Sequence, residues 1–139
     1  MGQYTTAFYG VIDRTYNVLR YSSAATPSSQ VIMPGTQIPI IGNGEGFPLG
    51  MFDESDYENR ELAFPPGASL LLYSDAVTEG KLVQGGRFHE QGLIELIRKT
   101  IAILPGKQRL NALINLLNKQ FVHPLADDLT LVSLYRENE

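Results

Sequence analysis

The chain has 139 residues, no cysteine, two histidines and a net charge of −4 from 11 basic and 15 acidic side chains. These counts exclude a disulfide framework, a thiolate metal site and a cysteine nucleophile, and they lack the basic footprint of a nucleic-acid binder. The length is that of one domain, and 43% apolar residues exclude a disordered tail. No apolar run is long enough to cross a bilayer, and Met1-Gly2-Gln3-Tyr4-Thr5-Thr6 lacks the basic-then-apolar order of a signal peptide. The expectation is a soluble, cytoplasmic domain with neither membrane nor nucleic acid as partner.

In chain order, residues 6–13 are rich in aromatic and β-branched side chains and predict a strand. Residues 14–17 predict a turn and residues 18–22 the returning strand of a hairpin. A loop of small polar residues around Pro27 follows, then a short strand over 30–33. Residues 37–41 are apolar but include Pro39, which cannot donate to a ladder and allows at most an edge strand. Residues 42–46 are too glycine-rich for regular structure and lack the lysine and following helix of a phosphate-binding loop. Residues 57–64 predict a strand and Pro65-Pro66-Gly67 a turn. The continuous apolar run over 68–73 has the pattern of a strand buried on both faces.

Helical periodicity begins late. Leu93, Ile94, Leu96, Ile97, Ile101 and Leu104 form one apolar stripe, closed by Pro105-Gly106; Leu110, Leu113, Ile114, Leu117 and Phe121 form a second. Residues 129–135 predict a last strand. Strands in succession with helices segregated late imply an α+β fold, its helices covering one face of a mainly antiparallel sheet.

Without thiols and with only His89 and His123, most acid–base or metal chemistry falls to carboxylates, which suit Mg²⁺, Mn²⁺ or Ca²⁺. Asp75 lies just beyond the strand predicted at 68–74, and Asp127 and Asp128 lie just before the one at 129–135. Antiparallel pairing of these two strands would bring Asp75 and the Asp127-Asp128 pair to one edge of the sheet, within reach of a shared cation. The commoner role of an Asp after a strand is a turn or helix cap, and Asp75 to Glu79 also fits a helix start. Ala126-Asp127-Asp128 also fits a plain turn, and Glu79 a solvated surface acid. His89 and His123 have no ligand-like spacing, and Ser22, Ser23, Ser28 and Ser29 lack a neighbouring His–Asp pair to activate them.

Pro66-Gly67-Ala68-Ser69-Leu70-Leu71-Leu72-Tyr73-Ser74-Asp75-Ala76-Val77-Thr78-Glu79 resembles the signature of the SpoIIE-like branch of the metal-dependent protein serine/threonine phosphatases, the PPM superfamily. That signature reads Pro-Gly-Asp-x-Leu-Leu-Leu-Tyr-Thr-Asp-Gly-Val-Thr-Glu. Thr6-Ala7-Phe8-Tyr9-Gly10-Val11-Ile12-Asp13, Pro48-Leu49-Gly50 and Asp127-Asp128-Leu129-Thr130-Leu131-Val132 are similar to further family segments, in the family's order. The resemblance implies two stacked antiparallel sheets flanked by helices, and hydrolysis of protein phosphoserine or phosphothreonine by two Mn²⁺ or Mg²⁺ ions bridged by a water. It implies a place in bacterial signal transduction, such as sigma-factor regulation through an anti-sigma-factor antagonist. By position, Asp75 and Asp127 resemble two metal ligands, with Asp128, Ala76 and Glu79 around them; no catalytic side chain is carried over.

The family's upstream Gly-Asp and Asp-x-x-Gly-His-Gly segments have no counterpart, so residues 1–139 resemble one partial domain, the C-terminal portion, with the N-terminal part missing. Ala76 stands where glycine is usual, and Ala25-Thr26 where Gly-His is usual. Two functions follow as expectations. One is a phosphatase acting on a phosphoprotein through its full-length parent, these 139 residues alone being inactive. The other is a degenerate, non-catalytic adaptor that binds a regulatory protein. Uncovered sheet edges would further lead the fragment to self-associate.

Overall fold

A computed structural model describes residues 3–42 and 46–138. The first two residues, and residues 43–45 of the glycine-rich segment, lie outside the described residues. The chain opens with the expected hairpin, β1 (Ala7–Asp13) and β2 (Val18–Ala24), paired from Ala7 opposite Ala24 to Asp13 opposite Val18. Asp13 Oδ1 closes the turn by accepting the backbone N–H groups of Thr15 (2.9 Å) and Tyr16 (3.1 Å), and Asn17 takes the left-handed conformation at φ 56° that asparagine tolerates.

Next come β3 (Gln30–Ile32), β4 (Ile40–Ile41), β5 (Arg60–Ala63), β6 (Ser69–Tyr73) and, at the end, β7 (Leu131–Tyr135). They form two antiparallel sheets, ordered β1-β2-β5 and β4-β3-β6-β7. Strand β4, next to Pro39, occupies an edge as the proline requires. Strand β7 is shorter than the predicted 129–135 because Thr130 N–H donates to the Ser74 hydroxyl (3.0 Å) in place of a main-chain carbonyl. The strand predicted at 57–64 contracts to Arg60–Ala63.

The helices are α1 (Asp75–Thr78), α2 (His89–Leu96), continued by a π-helical segment Ile97–Ile101, and α3 (Gly106–Gln120). Pro105-Gly106 separates the two predicted stripes, with Pro105 at the N-cap of α3. Among the described residues no helix is long and apolar enough to cross a membrane.

Two cores result from the alternation of side chains in the central strands. Leu70 and Val31 join Leu19, Tyr21, Phe64 and Ala68 between the sheets. Leu71 and Tyr73 of β6 and Ile32 of β3 pack instead with Leu93, Ile97, Ile101, Leu113, Leu117 and Phe121 of the helices. Each fully buried Leu, Ile or Phe contributes about 1.5–3 kcal/mol of transfer free energy. The layers run sheet, sheet, helices, and β6 is buried on both faces as its apolar run predicts. Val132 and Leu134 of β7 pair with Leu72 and Leu70, and cross-strand partners share a face. They nevertheless stay 50% and 41% exposed, because the first sheet does not extend over β7.

Candidate metal centre

The antiparallel register of β6 and β7 runs from Ser69 opposite Tyr135 to Tyr73 opposite Leu131. The outgoing end of β6 is therefore the incoming end of β7, and Asp75 leaves the sheet at the edge where Asp127 and Asp128 enter it. Ser74 fastens this end. Its N–H donates to Thr130 O (2.9 Å), and its hydroxyl accepts Thr130 N–H and donates to Asp128 O (3.4 Å). Sequence alone offers no reason to single out Ser74, since its role exists only once β7 lies beside it.

Helix α1 begins at Asp75, with Ser74 in the N-cap position. Among the described residues no hydrogen bond reaches the Asp75 carboxylate, so the side chain points free of the capping role that its position in sequence would suit. Asp127 Oδ1 accepts the N–H of Asp128 (2.8 Å), a local turn contact. Asp75, Asp127, Asp128 and Glu79 are all exposed. Among the described residues no three His, Cys, Asp or Glu side chains gather into a metal-holding group.

The carboxylates present fit a hard divalent cation in kind. Mg²⁺ commonly keeps several waters and takes one or two protein carboxylates, which is what this end of the sheet can offer. His89 opens α2 and lines a hollow with Thr78, Glu79 and Glu90; His123, whose ring lies 2.9 Å from Asn118 O, is exposed.

Ala76 and Ala25, the two alanines that replace the family's usual glycines, differ in consequence. Ala76 sits inside α1 with ordinary helical backbone. Ala25 is held at φ 57°, in the left-handed region that disfavours a Cβ. Thr26, where histidine is usual, shares a short hydrogen bond with the Ser23 hydroxyl.

Beside the acidic end lies a groove of about 340 Å³, lined by Ala76, Glu79, Asp127, Leu125, Lys81 and Arg87. Lys81 and Arg87 belong to a small ribbon over residues 80–88. The Gly85-Gly86 pair at its tip, with φ of 106° and 77°, is its one sequence signal; its arms are too short to show an alternating pattern.

The family model for stage II sporulation protein E (SpoIIE) matches residues 2–137. The chain belongs to the SpoIIE family. No curated protein matches it. Among solved structures, this SpoIIE-family chain is similar to the SiaA-PP2C domain of Pseudomonas aeruginosa, at 22% identity and a TM-score of 0.75, over 94% of this chain and 51% of that one. It is similar to the RsbU and RsbW domains of a Mycobacterium tuberculosis protein at 23% identity and a TM-score of 0.75, over 95% and 36%. A manganese-presoaked SpoIIE phosphatase domain from Bacillus subtilis gives 16% identity and a TM-score of 0.69, over 96% and 57%. At such identities the likeness is one of fold, and the α+β architecture of stacked antiparallel sheets and flanking helices is that of the PP2C phosphatase domains. The chain spans roughly half the length of the first of these structures.

Proposed function

We propose that the chain is the part of a bacterial metal-dependent phosphoserine/phosphothreonine phosphatase domain that carries two of its metal-binding carboxylates, Asp75 and Asp127. The observation that carries this reading is the pairing of β6 with β7, which sets the two acids at one end of one sheet. The accessible Asp75 carboxylate supports it, as does membership of the SpoIIE family. Mn²⁺ or Mg²⁺ held by Asp75 and Asp127 would supply a nucleophilic water and neutralise charge on the phosphoryl oxygens. This chain's own contribution is to hold Asp75 on the first turn of α1 and Asp127 on the turn before β7, with Ser74 keeping the two segments in register. The substrate is a phosphorylated regulatory protein, such as an anti-sigma-factor antagonist. The 139 residues alone, with two acids at the site, turn over a phosphopeptide slowly or not at all.

Calorimetric titration with Mn²⁺ tests this reading. The unaltered chain is expected to give a binding heat that Asp75→Asn and Asp127→Asn each reduce at least tenfold in affinity, without loss of fold by circular dichroism. Equal Mn²⁺ affinity in all three proteins would refute it.

A second reading, a non-catalytic adaptor for a regulatory protein, draws on Ala25 and Thr26, which replace the usual Gly-His. The full-length parent separates the two: metal-dependent release of phosphate from a phosphoprotein supports the enzyme, and partner binding without release supports the adaptor.

A further inference from the structure

The ribbon over residues 80–88 is held on both sides. Phe88 N–H donates to Gly80 O (2.9 Å) and Leu82 N–H to Gly86 O (2.9 Å), while Val83 N–H donates to Gln120 O (2.8 Å) and Val122 N–H to Lys81 O (2.8 Å). Leu82 packs against the helix-side core, and alternation along a strand then turns Lys81 and Val83 outward. Lys81 and Arg87 are direct cross-strand partners, so their side chains rise on the same face. Both line the groove, as do Ala76 and Asp127.

The two cations are not consumed by the fold. Among the described residues neither lies within ion-pairing distance of a carboxylate, and Arg87 makes one long hydrogen bond, Nη1 to Glu79 O at 3.4 Å. Arg20, Arg60, Arg98, Lys99 and Lys107 each have an acidic partner, and Arg109 and Arg136 donate to main-chain carbonyls; Lys119 on α3 also lies near no carboxylate among the described residues, but it stands alone. Two adjacent unpaired cations on one face stand out in a chain of net charge −4. The groove also has apolar lining, with Val122, the main-chain neighbour of Lys81, 45% exposed and Leu125 37% exposed.

We propose that this groove binds an extended polypeptide segment next to the phosphorylated residue, with an acidic side chain on Lys81 and Arg87 and an apolar one on Val122 and Leu125. The occupant follows from charge complementarity: Lys81 and Arg87 take an acid, while Glu79 and Asp127, which line the same groove, repel one and so fix where along the segment the acid must sit. The assignment of the segment to a phosphoprotein substrate rests on the phosphatase reading above; the charge preference of the groove does not.

The test uses two fluorescein-labelled nonapeptides with a central phosphoserine, one flanked by Glu and one by Lys, titrated by anisotropy into the 139-residue chain at low salt with EDTA. The Glu peptide is expected to bind about tenfold more tightly, the scale of two exposed pairs switching from attraction to repulsion. Lys81→Glu with Arg87→Glu should reverse the order, and Lys81→Gln with Arg87→Gln should abolish the preference. Equal binding of the two peptides, no binding of either, or an unchanged preference in both double variants overturns the proposal. If only the metal reading fails, Mn²⁺ calorimetry is flat while the peptide preference persists. If only the groove fails, the Mn²⁺ heat persists without the preference.

Discussion

At Ala25 a Cβ is carried in the left-handed backbone region, at φ 57°, where glycine pays no steric penalty. Ala25→Gly is expected to stabilise the chain by about 0.5–1 kcal/mol, after the larger entropy of the unfolded glycine is subtracted. A rise in urea midpoint at unchanged slope would show it. Gly80 presents the reverse case. A Cβ there would lie 2.5–2.8 Å from three ring atoms of Phe121, a ring buried at 2% exposure and packed edge-on against Phe88. Gly80→Ala is expected to lower stability by about 1–3 kcal/mol through overpacking. Asp13 adds a pH dependence. The Arg20 guanidinium, and then the N–H of Tyr16, hold its carboxyl below the ordinary value. Its contribution is therefore present above about pH 4 and lost as pH falls through the lowered folded value. The stability gap between the unaltered chain and Asp13→Asn should be wider at pH 7 than at pH 2.5 in denaturant titrations.

Among the elements, the junction between the π-helical segment and α3 depends on one side chain. Arg109 donates through Nε to Leu104 O (3.0 Å), through Nη2 to Ala102 O (3.2 Å) and through Nη1 to the Ser69 hydroxyl (2.6 Å). It binds the end of one helix, the start of the next and β6 together, and burial lowers its pKa from the ordinary arginine value. Arg109→Met keeps the aliphatic bulk but strands these acceptors, and is expected to lower stability by about 1–3 kcal/mol. Lys99→Ala, removing an exposed partner of Glu95 at 3.3 Å, should change it by less than about 0.5 kcal/mol. The two helices are legible as stripes because burial repeats every four residues at Leu93, Ile97 and Ile101 and at Leu113, Leu117 and Phe121. The π-helical segment is not, since wider hydrogen bonding leaves the same apolar spacing. Arg109 reads in sequence as one more charged surface position of a helix; its acceptors become visible only when Ser69 lies beneath it.

For the molecule as a whole, helices cover one sheet face, while Tyr9 and Val11 of β1 and Val132 and Leu134 of β7 remain 74%, 47%, 50% and 41% exposed. Among the described residues, strands β1 and β7 also stand last in their sheets, with no further strand paired to their outer edges. Such edges and apolar faces favour association with another chain. At micromolar concentration the isolated chain is expected to scatter light as a dimer or larger species, and Val132→Lys with Leu134→Lys to shift it toward the monomer mass. A monomer for the unaltered chain would contradict this.

Residues read one stretch at a time already specify the hairpin of β1 and β2, the doubly buried β6 and the two helical stripes. Each of these depends on a residue's own side chain and on neighbours within a few positions, where periods of 2 and 3.6 leave their mark. The tertiary structure alone decided that β7 lies beside β6, joining Ser74 to Thr130 across 56 residues and so setting Asp75 at the same sheet end as Asp127. It also decided that Lys81 and Arg87 share a groove with Asp127. A strand's choice of partner depends on which faces stay uncovered after the other layers have packed, and that information is spread over the chain rather than written in either strand.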